Sequence, residues 1–486
     1  MKRIIASILL VVTLFAGVAA TLTSCGGGNN GPAPDFVMPE GGYTGEAVTV
    51  TFYHSMGQNL QKQLETAIAN FNKLYPNITI VAKHFDSYDV IHEKIGKEVT
   101  VGAQPSMTIC YPDHVATYNA AGAVQALDSI IASTATATRK DGSTEQIGFT
   151  DAQIEDFIAA YWEEGKNYPD GKTYTLPAYK STELLYYNKT YFDAHGYEVP
   201  TTWDEMAALC AKIKAEDPDA ANIIPLGYDS ESNLFITLAE QYGSAYTSAT
   251  GDNFLFDNKQ NKDFVKMLRT WYENKWLVTG ELSGGFTSDY FTGEGETATR
   301  CVMCIGSSGG ATYQRPTYTT NSDGDIVYDF EVGIAPIPKV KEADELKVIS
   351  QGPSICIFKK ANANEVLASY LFAKFLATDY TFQGGVSSIN GYVPVIKSIQ
   401  NDENYAAWLA GGTGAENLEA YAAKVTFSIQ SSLYTSPVFW GSAEARKQVG
   451  IIITQGLSGS ATDVDAFIDQ LFADAIKRCK TAIGQK

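Results

Sequence analysis

Residues 47–82 change periodicity twice, and that pattern narrows the fold more than any other feature of the chain. AVTVTFY at 47–53 alternates as a strand does, and His54-Ser55-Met56-Gly57 breaks it. Leu60, Leu64, Ile68, Phe71 and Leu74 then recur at helical spacing, Pro76-Asn77 ends the helix, and Ile78 to Ala82 is a second strand. Two strands joined by a long helix pair in parallel, because the crossover reverses the chain. A helix over 89–101 and a short strand, SMTICY at 106–111, extend the unit. The N-terminal part is therefore expected to be an open, doubly wound α/β sheet. Ligands in such sheets sit beyond the C-terminal strand ends. His54-Ser55-Met56 and Tyr111-Pro112-Asp113 fall at that mouth.

The same theme continues along the chain. Leu184 to Tyr187 is a strand. Thr201 or Thr202 caps the next helix, with Asp204 and Glu205 at its positive end. Apolar strands at 301–305 and 332–335 follow, then a helix at 364–377. Val464, Phe467, Leu471 and Ala475 mark a last amphipathic helix over 462–483. No internal repeat or internal membrane span is legible.

The first residues spell an address. Lys2 and Arg3 precede an apolar run from Ile4 to Ala20, too short to span a membrane comfortably and typical of a signal peptide over 1–24. Leu22-Thr23-Ser24-Cys25 resembles the bacterial lipobox, which makes Cys25 a lipid attachment point. Two or more acyl chains give stable anchoring. Residues 26–45 hold seven Gly and three Pro without periodicity. Together with Cys25 they are expected to form a tether over 25–45, reaching about 25 Å.

Charge excludes several partners. The chain has 486 residues, 36 Lys+Arg and 55 Asp+Glu, for a net charge of −19. A body this acidic repels phosphate backbones, so no nucleic-acid partner is expected. It equally repels anionic lipid, which leaves the lipid anchor as the one membrane contact. Aromatic residues make up 12% of the chain, with 28 Tyr, a surplus compatible with a binding cleft.

Enzyme patterns fail on inspection. Gly306-Ser307-Ser308-Gly309-Gly310 fits G-x-S-x-G, but that motif needs a later His, and none of His54, His84, His92, His114 and His195 follows it. His92-Glu93 opens like a zinc helix, but position 96 is Gly. The loose G-x-G-x-x-A at Gly293–Ala298 lacks a clear strand before it, and its acids would repel a pyrophosphate. Cys301 and Cys304 form a CxxC inside an apolar run that reads as a buried strand. Cys110, Cys210, Cys356 and Cys479 are too scattered for a disulfide framework. A carboxylate pair for glycan hydrolysis stays open as an alternative, because sequence does not show which acids face each other. No metal and no cofactor are expected.

Several segments resemble the extracellular solute-binding proteins of bacterial ABC importers, family 1, which includes maltose-type and glycerol-3-phosphate-binding members. They are VTFYHSMGQNLQKQLETAIANFNKLYPNI, LPAYKSTELLYYNKTYFDAHGYEVPTTWDEM, CVMCIGSSGG, GPSICIFKKA and NGYVPVIKS, in order over nearly all of 47–486. The resemblance implies a two-lobed α/β, periplasmic-binding-protein-like type II fold with the ligand between the lobes. Carried over, one lobe holds 46–178 and 354–400 and the other 181–350 and 401–486. The crossings fall near Pro177–Ser181 and Gln351–Ser354.

The glycerol-phosphate-binding branch supplies candidate contacts: Tyr88, Tyr111, Asp113, Ser181, Ser307, Gly352 and Tyr392. The Arg by which that branch reads phosphate has no match at its expected place, around Val438-Phe439-Trp440. Arg446, nearby, lines up with a separate helix Arg. Phe439-Trp440 instead resembles the pair by which maltose-type binders stack a sugar, so Trp440 joins the candidates. His54-Ser55 adds free N–H groups at a helix start. The resemblance thus implies a monomeric, lipid-anchored receptor on the extracytoplasmic face of the membrane. It would capture a carbohydrate for an ABC permease, with glycerol-3-phosphate or its diesters as the runner-up ligand. A surface glycan hydrolase and a sensory binding lipoprotein are the readings from other classes.

Overall fold

A computed structural model of the chain describes residues 34–293 and 299–485. Residues 1–33, which include the stretch expected to be a signal peptide, Cys25 and the start of the expected tether, lie outside the described residues, as do 294–298 and 486.

The main strands, in chain order, are β1 (Val48–His54), β2 (Ile78–His84), β3 (Met107–Cys110), β4 (Thr175–Pro177), β5 (Glu183–Asn188), β6 (Leu226–Tyr228), β7 (Leu277–Thr279), β8 (Met303–Ser307), β9 (Val332–Pro336) and β10 (Ser354–Ile357). They form two five-stranded sheets, ordered β2-β1-β3-β10-β4 and β9-β5-β8-β6-β7. β1 runs parallel to β2 in register from Val48↔Ile78 to His54↔His84, and parallel to β3, as the strand–helix–strand periodicity requires. The connecting helix, Gln58–Leu74, buries Leu60, Leu64, Ala67 and Phe71. Its predicted start and end differ from the observed ones by a few residues only.

The sheets are mixed rather than wholly parallel. β10 is antiparallel to both β3 and β4. It enters the first sheet only after the chain has built the second, so it arrives from the opposite direction. In the second sheet β5 is antiparallel to β8 and β9. Each sheet has its own core. Phe52, Phe71, Ile109, Ile355, Phe372 and Val393 belong to one; Tyr186, Leu226, Phe235, Ile305, Ile334 and Phe472 belong to the other.

The remaining elements follow local chemistry. Thr202 caps Trp203–Glu216 and Glu205 reaches back to the cap, so both ends of the capping box are made. Glu403–Ala410 places Tyr405 in the first core, and Leu418 and Ala422 of Leu418–Ser428 lie in the second. Within the stretch expected to be tether, Tyr43 is 1% exposed, its ring 5.8 Å from that of Tyr75, with Phe36 and Met38 packed on the same core. The folded body therefore takes in chain from Phe36 onward.

Cys110, Cys210, Cys301, Cys304, Cys356 and Cys479 are free and buried. Burial pushes the Cys301 and Cys304 thiols above their ordinary range, the opposite of what a reactive CxxC needs. Among the described residues no helix is long and apolar enough to cross a membrane.

Candidate functional site

The chain leaves the first sheet after β4 and returns to it at β10, and these two crossings are stitched together. Ser181 and Gln351 exchange both backbone hydrogen bonds, at 3.0 and 2.8 Å. Lys180 and Val393 do the same at 3.1 and 2.7 Å. Gly352 has φ +93°, and a Cβ there would lie 2.4 Å from the Tyr179 carbonyl oxygen. Only glycine allows that approach. Beneath the crossings Lys180, 0% exposed, forms an ion pair with buried Glu164. Ser354 Oγ donates to Glu164 at 3.1 Å, and Lys180 Nζ also donates to Ser354 Oγ at 3.1 Å.

Above the crossings a cleft of about 80 Å³, partly open to solvent, lies between the two sheets. Tyr111, Pro112 and Asp113 line it from beyond β3, Ile236 and Arg446 from the opposite side, and Gln351 and Gly352 from its floor. The sides are in contact. The Arg446 guanidinium stands 5.9 Å over the Tyr111 ring, and Asn167 Nδ2 donates to the Ser436 carbonyl oxygen at 3.2 Å.

Of the tyrosines expected at the site Tyr111 lines the cleft, while Tyr88 and Tyr392 lie outside the lining. Tyr88 opens the helix Tyr88–Val99, and its ring centroid is 4.6 Å from that of Tyr111. Tyr392 meets Tyr179 edge-on, also at 4.6 Å. Burial, with the neighbouring phenols of Tyr179, Tyr392 and Tyr111, raises the Tyr88 hydroxyl well above the ordinary tyrosine range. All these hydroxyls are therefore neutral donors and acceptors at physiological pH. Gly309 lets the Tyr392 ring approach: a Cβ there would fall 2.4 Å from it. On the floor, Gln351 Oε1 is buried without a hydrogen-bond partner among the described residues.

The other candidates are placed as follows. Asp113 lines the cleft while its carboxylate accepts from His114 N at 2.9 Å. Gly352 lines the floor. Ser181 is buried in the first crossing. Ser307 ends β8 opposite Glu183, and its hydroxyl accepts from Gly309 N at 3.2 Å. The structure brings neither serine into the cleft lining. His54 is buried: its Nδ1 accepts from Met56 N at 3.3 Å, and burial lowers its pKa to about 4. It shapes the turn before Gln58–Leu74. Trp440 is 52% exposed and lies outside the lining, whereas Phe439 is buried against Phe254.

The resemblance reads Arg446 only as a separate helix Arg, and Tyr179, Glu164 and Tyr246 are not among the candidates it supplies. Arg446 matters most. It sits in the first turns of Ser442–Ser458, lines the cleft, and its guanidinium donates to Asn233 Oδ1. Among the described residues it forms no ion pair with a carboxylate. The expected place of the phosphate clamp, around Val438, Phe439 and Trp440, holds no cation. The fold supplies one from the following helix. The available signal was a basic residue within the otherwise apolar face of that helix.

The chain has two α/β lobes with an aromatic cleft between them. The chain belongs to the bacterial extracellular solute-binding protein family, whose sequence model matches residues 66–411. It is 28% identical over 179 residues to the sn-glycerol-3-phosphate-binding periplasmic protein UgpB of Salmonella typhimurium, a match covering 36% of this chain and 38% of that protein. The corresponding protein of Yersinia pestis is 27% identical over the same length. The match thus spans well under half the length of these curated relatives. Among solved structures, UgpB from Mycobacterium tuberculosis in complex with glycerophosphocholine superposes with a TM-score of 0.67 at 16% identity, over 90% of this chain and 98% of that one. MalE from Bdellovibrio bacteriovorus bound to maltotriose gives 0.65 at 16%, over 90% and 99%. Lmo0181 from Listeria monocytogenes in complex with cycloalternan gives 0.68 at 17%, over 91% and 100%. These likenesses establish the two-lobed fold.

Proposed function

We propose that the chain is the solute-capturing subunit of an ABC importer, and that its ligand is a small polyol carrying an anionic group, such as glycerol phosphate or a glycerophosphodiester. The observation that carries this reading is Arg446: a guanidinium lining the cleft, faced by Tyr111 and without an acid partner among the described residues. A planar fork of donors in that position suits a phosphate. Tyr111, with Tyr88 packed on its ring, supplies a hydroxyl and a ring face for the polyol, and Asp113 an acceptor for its hydroxyls. The ligand bridges both lobes and so favours their closed arrangement by its differential affinity for that state. Capture breaks no bond. Cys25 holds the protein at the outer face of the membrane, where a permease receives the ligand.

The test is calorimetry with sn-glycerol-3-phosphate, glycerophosphodiesters, maltose and maltotriose. Arg446→Ala is expected to weaken the phosphoesters by roughly 10- to 100-fold, the size of a charged hydrogen-bond loss. Unchanged phosphoester affinity in that variant would remove the anionic reading. The tyrosine cluster favours a second reading, a neutral oligosaccharide packed on ring faces. Binding of maltodextrins alone would select it. Release of a Cys25→Ala variant from membranes tests the anchor.

A further inference from the structure

A line of side chains runs from the interior of the second sheet to the cleft. Glu183 opens β5 and is 2% exposed. Its Oε2 accepts from Tyr228 Oη at 2.6 Å. The amide of Asn233, also 2% exposed, faces the same carboxylate. Asn233 Oδ1 in turn accepts from the Arg446 guanidinium. Tyr228, Glu183, Asn233 and Arg446 come from four elements. Nothing in the fold requires an acid there, since Glu183 occupies a strand position whose neighbours Leu184 and Leu185 are fully buried.

We propose that Glu183 is a specificity-determining residue for anionic solutes, acting on Arg446 through Asn233, so that capture of an anion is accompanied by uptake of one proton on Glu183. This rests on the anionic-ligand reading above and deepens it.

An amide has one acceptor and one donor end. With its oxygen committed to Arg446, Asn233 turns its N–H groups toward Glu183, and the ionised carboxylate holds that orientation. The ionised carboxylate also sets a negative charge behind the guanidinium, which weakens the field Arg446 presents to the cleft. The groups facing Glu183 are Tyr228, Asn233, Arg446 and Asp229, with Tyr434 beyond them. Burial raises its pKa to about 7 against the pull of Tyr228, Asn233 and Arg446. An anion seated on Arg446 offsets that pull and adds negative charge, so the bound state holds the proton more tightly. By linkage, anion affinity is greatest where Glu183 is already protonated and declines as pH rises through about 7. A neutral sugar, adding no charge, shows no such decline.

The experiment is calorimetry from about pH 6 to about pH 8 with glycerophosphoglycerol, whose diester phosphate does not titrate in that range, and with maltose as the neutral probe. Wild type is expected to lose up to about tenfold in phosphodiester affinity over the range, with proton uptake seen as a buffer-dependent enthalpy. Glu183→Gln should be flat. Tyr228→Phe removes the 2.6 Å donor and should move the decline to higher pH, a readout that holds if Glu183→Gln does not fold. Phosphodiester binding with a flat profile in wild type, or an unmoved decline in both variants, overturns this proposal alone. Maltose binding with no phosphodiester binding overturns the anionic reading and this proposal with it.

Discussion

Replacing Lys180 with Met should cost about 3 kcal/mol of stability, and most of that cost should vanish when Glu164 is neutralised as well. Lys180 is 0% exposed and Glu164 4%, so their ion pair has no water to fall back on. Breaking a buried pair from one side costs roughly 3–5 kcal/mol, because the remaining charge stays desolvated. Here the remaining carboxylate keeps Ser354 Oγ at 3.1 Å and a weaker contact with Ser350 Oγ at 3.4 Å, which places the loss at the low end. The Gly352 carbonyl and Ser354 also lose a donor. Urea unfolding of wild type, Lys180→Met, Glu164→Gln and the double variant forms the cycle. The double variant should lie within about 1–2 kcal/mol of wild type, since two neutral groups replace two charges. A Lys180→Met loss under about 1 kcal/mol, or a double variant as unstable as the two singles summed, would refute the view that this pair fastens the two crossings.

Two further outcomes follow from the site. Gly352→Ala should destabilise the protein by at least about 1–2 kcal/mol in the same assay, from its positive φ and the 2.4 Å approach to the Tyr179 carbonyl. Trp440→Ala should change the affinity of any ligand by less than about twofold by calorimetry, because a ring 52% exposed and outside the cleft lining loses little burial.

How far the sequence reached can be seen element by element. Val48–His54, Gln58–Leu74 and Ile78–His84 were legible because strand and helix write their burial at spacings of two and of three to four residues. The Thr202–Glu205 cap was legible for the same local reason. Of the candidates the resemblance supplies, Tyr111, Asp113 and Gly352 line the cleft and Tyr88 packs on Tyr111, while Tyr392 packs on Tyr179 outside the lining. Trp440 lies outside the cleft lining, and its adjacency to Phe439 in the chain says nothing of which ring turns inward. Tyr43 was hidden in a Gly- and Pro-rich stretch whose composition suggested no packing at all.

By itself, then, the sequence determined an α/β chain of alternating strands and helices, its family and a net charge of −19. Those properties are sums over local spacing and composition. Tertiary structure alone decided that β10 enters antiparallel between β3 and β4, that Lys180 meets Glu164, and that Arg446 faces Tyr111 with Asn233 and Glu183 behind it. Each of these joins residues far apart in the chain. Their charge, burial and hydrogen bonding are defined only once the crossings bring them together.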